Sequence, residues 1–446
     1  MRYRLLLTSV VGLCTCAVGS VAFSRTTVPA KRVYPVREIQ PAGTFEVGAG
    51  PYSVQVADLN RDGVQDIVTA NLNGESITLL IGESSGVPAK RVDLGVHGAA
   101  IASVVTDFDA DGWSDVVVAV HQSRRLGRAT PGRGHIAYVS APRDGSGRAE
   151  MKYLNLGRQA KRPTHVDAGD LDGDGVPEVV VAIQEDVLII LGYDGRGELR
   201  EKRRVPVAGC GERTGYGPDG VSIADIDRDG DLDLVVACYD TWSIRTLEND
   251  GTGRFGPARL AGAVPEDVVL HAMRTHLGDT TLSPVGGGLR KVVASDVSGS
   301  AKLDLLAMAD YGLLLVIPGD SAIAPHTVWT GVDGTNTVVV GELGIEHRKD
   351  VLMLTGHDPY LGMRLPATRL SELRPVVERF GPLPMTPESI VVRDIDDDEI
   401  NDLIIAGEHA GGVLVLRGDS LGGFSPFPRR DSSPRQNQPL VSSSGL

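Results

Sequence analysis

DIDRDGDLD, residues Asp225 to Asp233, sets carboxylates at positions 1, 3, 5 and 9 of a nine-residue run and a glycine at position 6. Like charges this close repel unless something divalent sits among them. Ca2+ takes six to eight oxygens at about 2.3–2.6 Å in a flexible shell, which suits such a loop. Asp225, Asp227 and Asp229 are spaced to wrap one side of the ion. The main-chain carbonyl of Asp231 adds an oxygen and Asp233 closes the shell. Gly230 permits the tight bend because it has no Cβ to clash at positive φ. The run is followed by LVVAC, a short apolar stretch that reads as a buried strand.

The pattern recurs along the chain. DLNRDGVQD supplies Asp58, Asn60, Asp62, the Val64 carbonyl and Asp66. DFDADGWSD supplies Asp107, Asp109, Asp111, the Trp113 carbonyl and Asp115. DLDGDGVPE supplies Asp170, Asp172, Asp174, the Val176 carbonyl and Glu178. DIDDDEIND supplies Asp394, Asp396, Asp398, the Ile400 carbonyl and Asp402. Two degenerate copies begin at Asp296, with serines at positions 3 and 5, and at Glu342, with Gly344 at position 3. The seven starts lie 49, 63, 55, 71, 46 and 52 residues apart, a spacing that signals a repeat architecture. Five loops are expected to bind Ca2+ well, the Asp296 loop weakly and the Glu342 loop not at all, since affinity follows ligand charge.

Seven loops, each running into an apolar strand, resemble the FG-GAP/VCBS repeats of integrin-like β-propellers. The resemblance covers residues 44–427, including VGAGPYSVQVADLN before the first loop and LENDGTGRFGPARL after the fourth. It implies an all-β, seven-bladed β-propeller, each blade a four-stranded sheet with its calcium loop between the first and second strands. In the first blade the strands read as Ser53 to Ala57, Ile67 to Ala70, Ser76 to Ile81 and about Ala89 to Leu94. No helical periodicity stands out. Aromatic residues make up only 4%, so the blades must pack through Val, Ile, Leu and Ala. The segment TFEVGAG has outer-strand character and is expected to pair into the last blade, closing the ring and removing an open edge.

Residues 1–22 read as a secretory signal: Arg2 and Arg4 precede an apolar stretch, and Ser20-Val21-Ala22 offers small residues for cleavage after Ala22. Residues 23–43 read as a flexible lead-in and 428–446 as a disordered tail. No other segment is apolar enough to span a bilayer, so a secreted monomer, extracellular or periplasmic, is expected. Formal net charge is −14, and nineteen of the acids are ligand-type residues of the five intact loops. The acidity is therefore largely a property of metal sites, and no basic face points to nucleic acid. Cys210 and Cys238 both fall in the fourth repeat, where they either pair or pack as small buried hydrophobes.

Metal loops joining first and second strands must share one face of the disc, and the resemblance implies that ligands bind on the opposite face. His121, Tyr216, Tyr239, Trp242, Tyr311, His357, Tyr360 and His409 fall on that opposite face, as does the basic turn with Arg124, Arg125, Arg128 and Arg133. The turn either clamps an anion or is a solvated insertion. Signatures of a nucleophile elbow, a zinc helix, a P-loop or a Rossmann turn are missing. Arg417-Gly418-Asp419-Ser420 spells an adhesive tetrapeptide, yet GESSG and GDSA stand at the same point of other blades, so a recurring turn accounts for it. The reading is a calcium-binding scaffold that recognises an extracellular protein or glycan without catalysis. The alternative is a secreted polysaccharide lyase or hydrolase working on the same face.

Overall fold

The computed structural model describes residues 36–38, 44–83, 88, 90–121, 134–140, 150–157, 160, 162–196, 198–211, 215–277, 287–329, 335–344, 349–355, 362–366, 378–381, 383–408 and 412–426. The expected signal segment, the C-terminal tail, most of the lead-in, Arg124, Arg125, Arg128, Arg133, His357, Tyr360 and His409 lie outside the described residues.

The described strands form seven antiparallel sheets. Each begins with an inner strand: Pro51–Ala57, Ala99–Thr106, Pro163–Gly169, Pro218–Ala224, Leu289–Ser295, Thr335–Glu342 and Thr386–Arg393. Each inner strand touches the next, and Thr386–Arg393 returns to Pro51–Ala57, so the sheets close into the ring of a β-propeller. The second strands carry the burial. Asp66–Asn71, Glu178–Ile183, Asp233–Cys238 and Asp304–Ala309 are buried at every position. Such continuous apolar runs follow from packing on both faces, because each blade is sandwiched between two others. Seven hydrophobic clusters fill the seven spaces between neighbouring sheets, built mainly from Val, Ile, Leu and Ala.

The ring is closed by the N-terminal segment. Thr44–Glu46 pairs antiparallel with Gly412–Gly418, matching Thr44 to Leu414. Phe424–Pro426 pairs with the rest of the same strand, so its outer edge is shared between two chain segments. Val36–Glu38 adds a parallel strand beside Glu378–Gly381. Cys210 and Cys238 form a disulfide, and both are fully buried. It ties the turn after the third sheet's outer strand, Leu199–Pro206, to the second strand of the fourth.

The expectation of no helix is corrected by Glu266–Leu277. Val269, Ala272 and Met273 are spaced i, i+3, i+4 and pack into the cluster between the fourth and fifth sheets. Pro265 precedes the helix, and Glu266 and Asp267 occupy its first turn, where the helix dipole favours acid.

The inner strands do not pair in unbroken register. Register slips once in each, between Pro51 and Ser53, Ala100 and Ala102, Pro163 and His165, Pro218 and Gly220, Leu289 and Lys291, Thr335 and Thr337, and Pro387 and Ser389. A bulge lets one extra residue re-aim its side chain. The residues so placed include Tyr52, Ile101, Thr164, Asp219, Arg290 and Glu388, each six positions before an acidic loop.

Candidate functional site

All acidic loops join an inner strand to a second strand, so they share one face of the ring. The loops are built alike. The carboxylate at position 1 accepts the amide of position 6: Asp58 from Gly63 at 2.9 Å, Asp107 from Gly112 at 2.7 Å, Asp170 from Gly175 at 2.9 Å, Asp225 from Gly230 at 3.2 Å and Asp394 from Glu399 at 2.8 Å. The carboxylate at position 5 accepts the amide of position 7: Asp62 from Val64, Asp111 from Trp113, Asp174 from Val176, Asp229 from Asp231 and Asp398 from Ile400. Gly230 takes φ 99°, as the bend requires.

Three carboxylates converge within 4.8 Å in four loops: Asp107, Asp109 and Asp115; Asp170, Asp172 and Glu178; Asp225, Asp227 and Asp229; Asp394, Asp396 and Asp402. The Asp58 loop has Asn60 at position 3, which bonds Asp62 instead. A cation fits this donor set. Asp58 Oδ1, Asp172 Oδ1, Asp296 Oδ1 and Asp396 Oδ1 are buried carboxylate oxygens with no hydrogen-bond partner, a costly state unless something positive is bound. Burial also raises the proton affinity of Asp66, Glu178, Asp233 and Asp396, and lifts Asp402 to about 6.

Position 9 does a second job that sequence reading missed. Asp66 accepts the Leu59 amide at 2.9 Å and the Gly82 amide at 2.7 Å. Asp233 likewise holds Ile226 and Asn249, and Asp402 holds Ile395 and Gly418. This acid pins the loop to the end of the third strand. The degenerate Asp296 copy keeps it: Asp304 holds Val297 and Gly319 at 2.9 Å each. In the Glu342 copy Asp350 is buried and pairs with Arg364 at 2.9 Å. The residue persists where positions 3 and 5 lose their carboxylates because its contacts serve the fold.

Two loops also hold a cation of the chain itself. Lys202 reaches Asp172 at 3.1 Å and Glu178. Arg417 reaches Asp396 at 2.8 Å and Asp398 at 3.0 Å. The arginine of the RGDS tetrapeptide is thus engaged on the loop of its own blade. Asp419 is turned into its own hairpin, accepting the Leu421 amide at 2.9 Å and the Gly423 amide at 2.8 Å. Asp320 of GDSA accepts the Ala322 amide in the same way.

At the opposite face the ring opens into a cavity of about 540 Å3. Tyr216, 36% exposed, lies 6.0 Å from Tyr239, and the Arg162 guanidinium sits 5.0 Å from the Tyr216 ring. Arg290 lies 5.1 Å from the Tyr239 ring, bonds Asp310 at 2.7 Å and approaches Asp219 at 3.8 Å. Gln184 donates to Asp219 at 3.1 Å, and burial pushes that acid to about 6. His121 lines the cavity, its Nε2 buried without a partner. Trp242 is buried and stacks on Tyr311, so it supports the core beside the helix and offers no surface.

The FG-GAP-like repeat family matches residues 58–118, 107–181 and 170–236. Among solved structures, crystal structures of BBS1N in complex with ARL6DN, soaked with mercury or with lead, are 11% identical. They give TM-scores of 0.51 and 0.52, with 84% of this chain and 97% of that chain covered. The WD40 β-propeller domain of Doa1 is 9% identical with a TM-score of 0.51, covering 84% of this chain and 95% of that one. At this identity the likeness is one of fold. No curated protein matches the sequence.

Proposed function

The chain is an FG-GAP repeat β-propeller protein, and from that we propose that it is a secreted, calcium-loaded scaffold that recognises an extracellular protein or glycan. The carrying observation is the cluster of Tyr216, Tyr239 and Arg162 on the face away from the acidic loops, beside Gln184 and Arg290 of the cavity lining. Tyrosine and arginine are the side chains most often found to anchor a partner, because each gives large contact area and a polar tip. Ca2+ would be held by the carboxylates at positions 1, 3, 5 and 9 and would supply the neutralising charge their orphaned oxygens lack. The ligand face is thereby held by a frame whose other side is fixed by metal.

The test uses the mature protein in millimolar Ca2+, screened against immobilised glycans and extracellular proteins. Replacing Arg162 and Tyr216 together by alanine should weaken capture at least tenfold while leaving the melting curve in place. Equal capture by the double variant would place recognition elsewhere. Turnover of a polysaccharide by the native protein would favour the enzyme reading instead.

A further inference from the structure

Seven near-equivalent strands would by default present seven similar side chains to the central cavity. They do not. Most of the charged groups gather on one arc, His165 and Asp167 from the third sheet, Asp219 from the fourth, and Arg290 and Lys291 from the fifth, with His121 of the second sheet and Glu388 of the seventh outside it. The first two sheets contribute Tyr52, Ile101 and Val104 beside the polar Gln55 and Ser103, and the sixth contributes Val339 beside Thr337.

The polar arc is partly committed to the fold. Asp167 accepts the Ile223 amide of the next inner strand at 3.0 Å. Arg290 is held by Asp310 and Asp219. Lys291 is different: among the described residues it makes no hydrogen bond or ion pair. It has Glu388 as its opposite charge and the His165 ring nearby. Gly220 lets the fourth inner strand lie close against the fifth, since a Cβ there would sit 2.5 Å from the Arg290 carbonyl oxygen. One ring nitrogen of His165, Nδ1, is buried without a partner. One wall of the cavity therefore holds an ammonium with no hydrogen bond among the described residues and an open acceptor, with Tyr52, Ile101 and Val104 across the ring.

We infer that the central cavity is a binding site for a small uncharged polyol of monosaccharide or disaccharide size. Its volume lies within the roughly 300–1,000 Å3 typical of small-molecule pockets. Opposite charges share the cavity, with Lys291 near Glu388 and Arg290 near Asp219, so neither an anion nor a cation finds a one-signed field. A sugar ring has hydroxyls at its edge for Lys291, His165 and Glu388, and C–H faces for Ile101, Val104 and Tyr52. This goes beyond recognition of a macromolecule at the face, which needs nothing inside the cavity.

Isothermal titration of the mature protein in millimolar Ca2+ with neutral hexoses and their disaccharides tests it, with glycine, glutamate and inorganic phosphate as charged comparisons. At least one neutral sugar should bind at millimolar or lower concentration. Lys291→Met should weaken that sugar at least tenfold, and Ile101→Trp, which fills the apolar side, should weaken it further. Arg162→Ala on the face away from the acidic loops should leave it unchanged. No heat with any neutral sugar in the native protein overturns the inference. So does tighter binding of a charged comparison, or full binding by folded Lys291→Met and Ile101→Trp proteins.

Discussion

Glu399 sits at position 6 of the last acidic loop with φ 66°, a conformation in which every other intact loop has glycine. A side chain there costs about 1–2 kcal/mol because its Cβ crowds the following carbonyl oxygen. Its side chain is exposed, so no packing offsets that cost. Glu399→Gly should stabilise the protein by about 0.5–1 kcal/mol in denaturant unfolding, part of the relief being returned as unfolded-chain entropy. His165 is a second such residue. Burial, then the nearby Lys291, depress its ring to about 3, so it stays neutral in the folded chain while the unfolded chain protonates near 6.5. Its contribution is present above pH 6.5 and is lost as pH falls from there toward 3. The stability of the native protein minus that of His165→Gln should therefore shrink by about 1–2 kcal/mol from pH 7 to pH 5. Asp167, raised to about 6 by burial, moves stability the other way, but it is present in both proteins and cancels in that difference.

Among the elements, the disulfide makes the plainest prediction. It joins segments belonging to two neighbouring sheets, with 28 residues of sequence separation. Cys210→Ala with Cys238→Ala should cost about 2–4 kcal/mol, read from thermal or denaturant unfolding. The acidic loops, the strands that follow them and the closure by Thr44–Glu46 were legible in the sequence because each has a local signature repeated many times. The helix was not. Its apolar stripe is only three residues, Val269, Ala272 and Met273, in a chain dominated by strand signals. The bulges were missed because an alternating pattern assumes unbroken register. A signal for them does exist: Pro51, Pro163, Pro218 and Pro387 each stand one residue before a bulge, where proline withholds the amide that would continue the ladder. Lys202 and Arg417 were invisible as loop partners because they lie across the sheet, 24 and 19 residues from the acids they meet.

For the whole molecule, metal and fold should be coupled. A ligand that binds only the folded state at 100 times its Kd adds about 2.7 kcal/mol per site. Chelator should lower the melting temperature by roughly 5–10 °C relative to millimolar Ca2+. Coincident curves would mean that the loops hold without metal. Lys202 refines the expectation, since a resident ammonium must leave Asp172 and Glu178 before an ion can use them. Lys202→Met should therefore melt lower than native protein in chelator, yet bind its Ca2+ several-fold more tightly by calorimetry. The shared edge of Gly412–Gly418 adds a matter of timing. More than 360 residues separate Glu46 from Gly412, so at about 5–20 residues per second the first strand waits roughly 20–70 s for its partner to be made. A nascent chain of this protein is an unfinished circle for nearly the whole of its synthesis. A message cut short before codon 412 would leave Thr44–Glu46 with nothing to pair against, however sound the six earlier sheets.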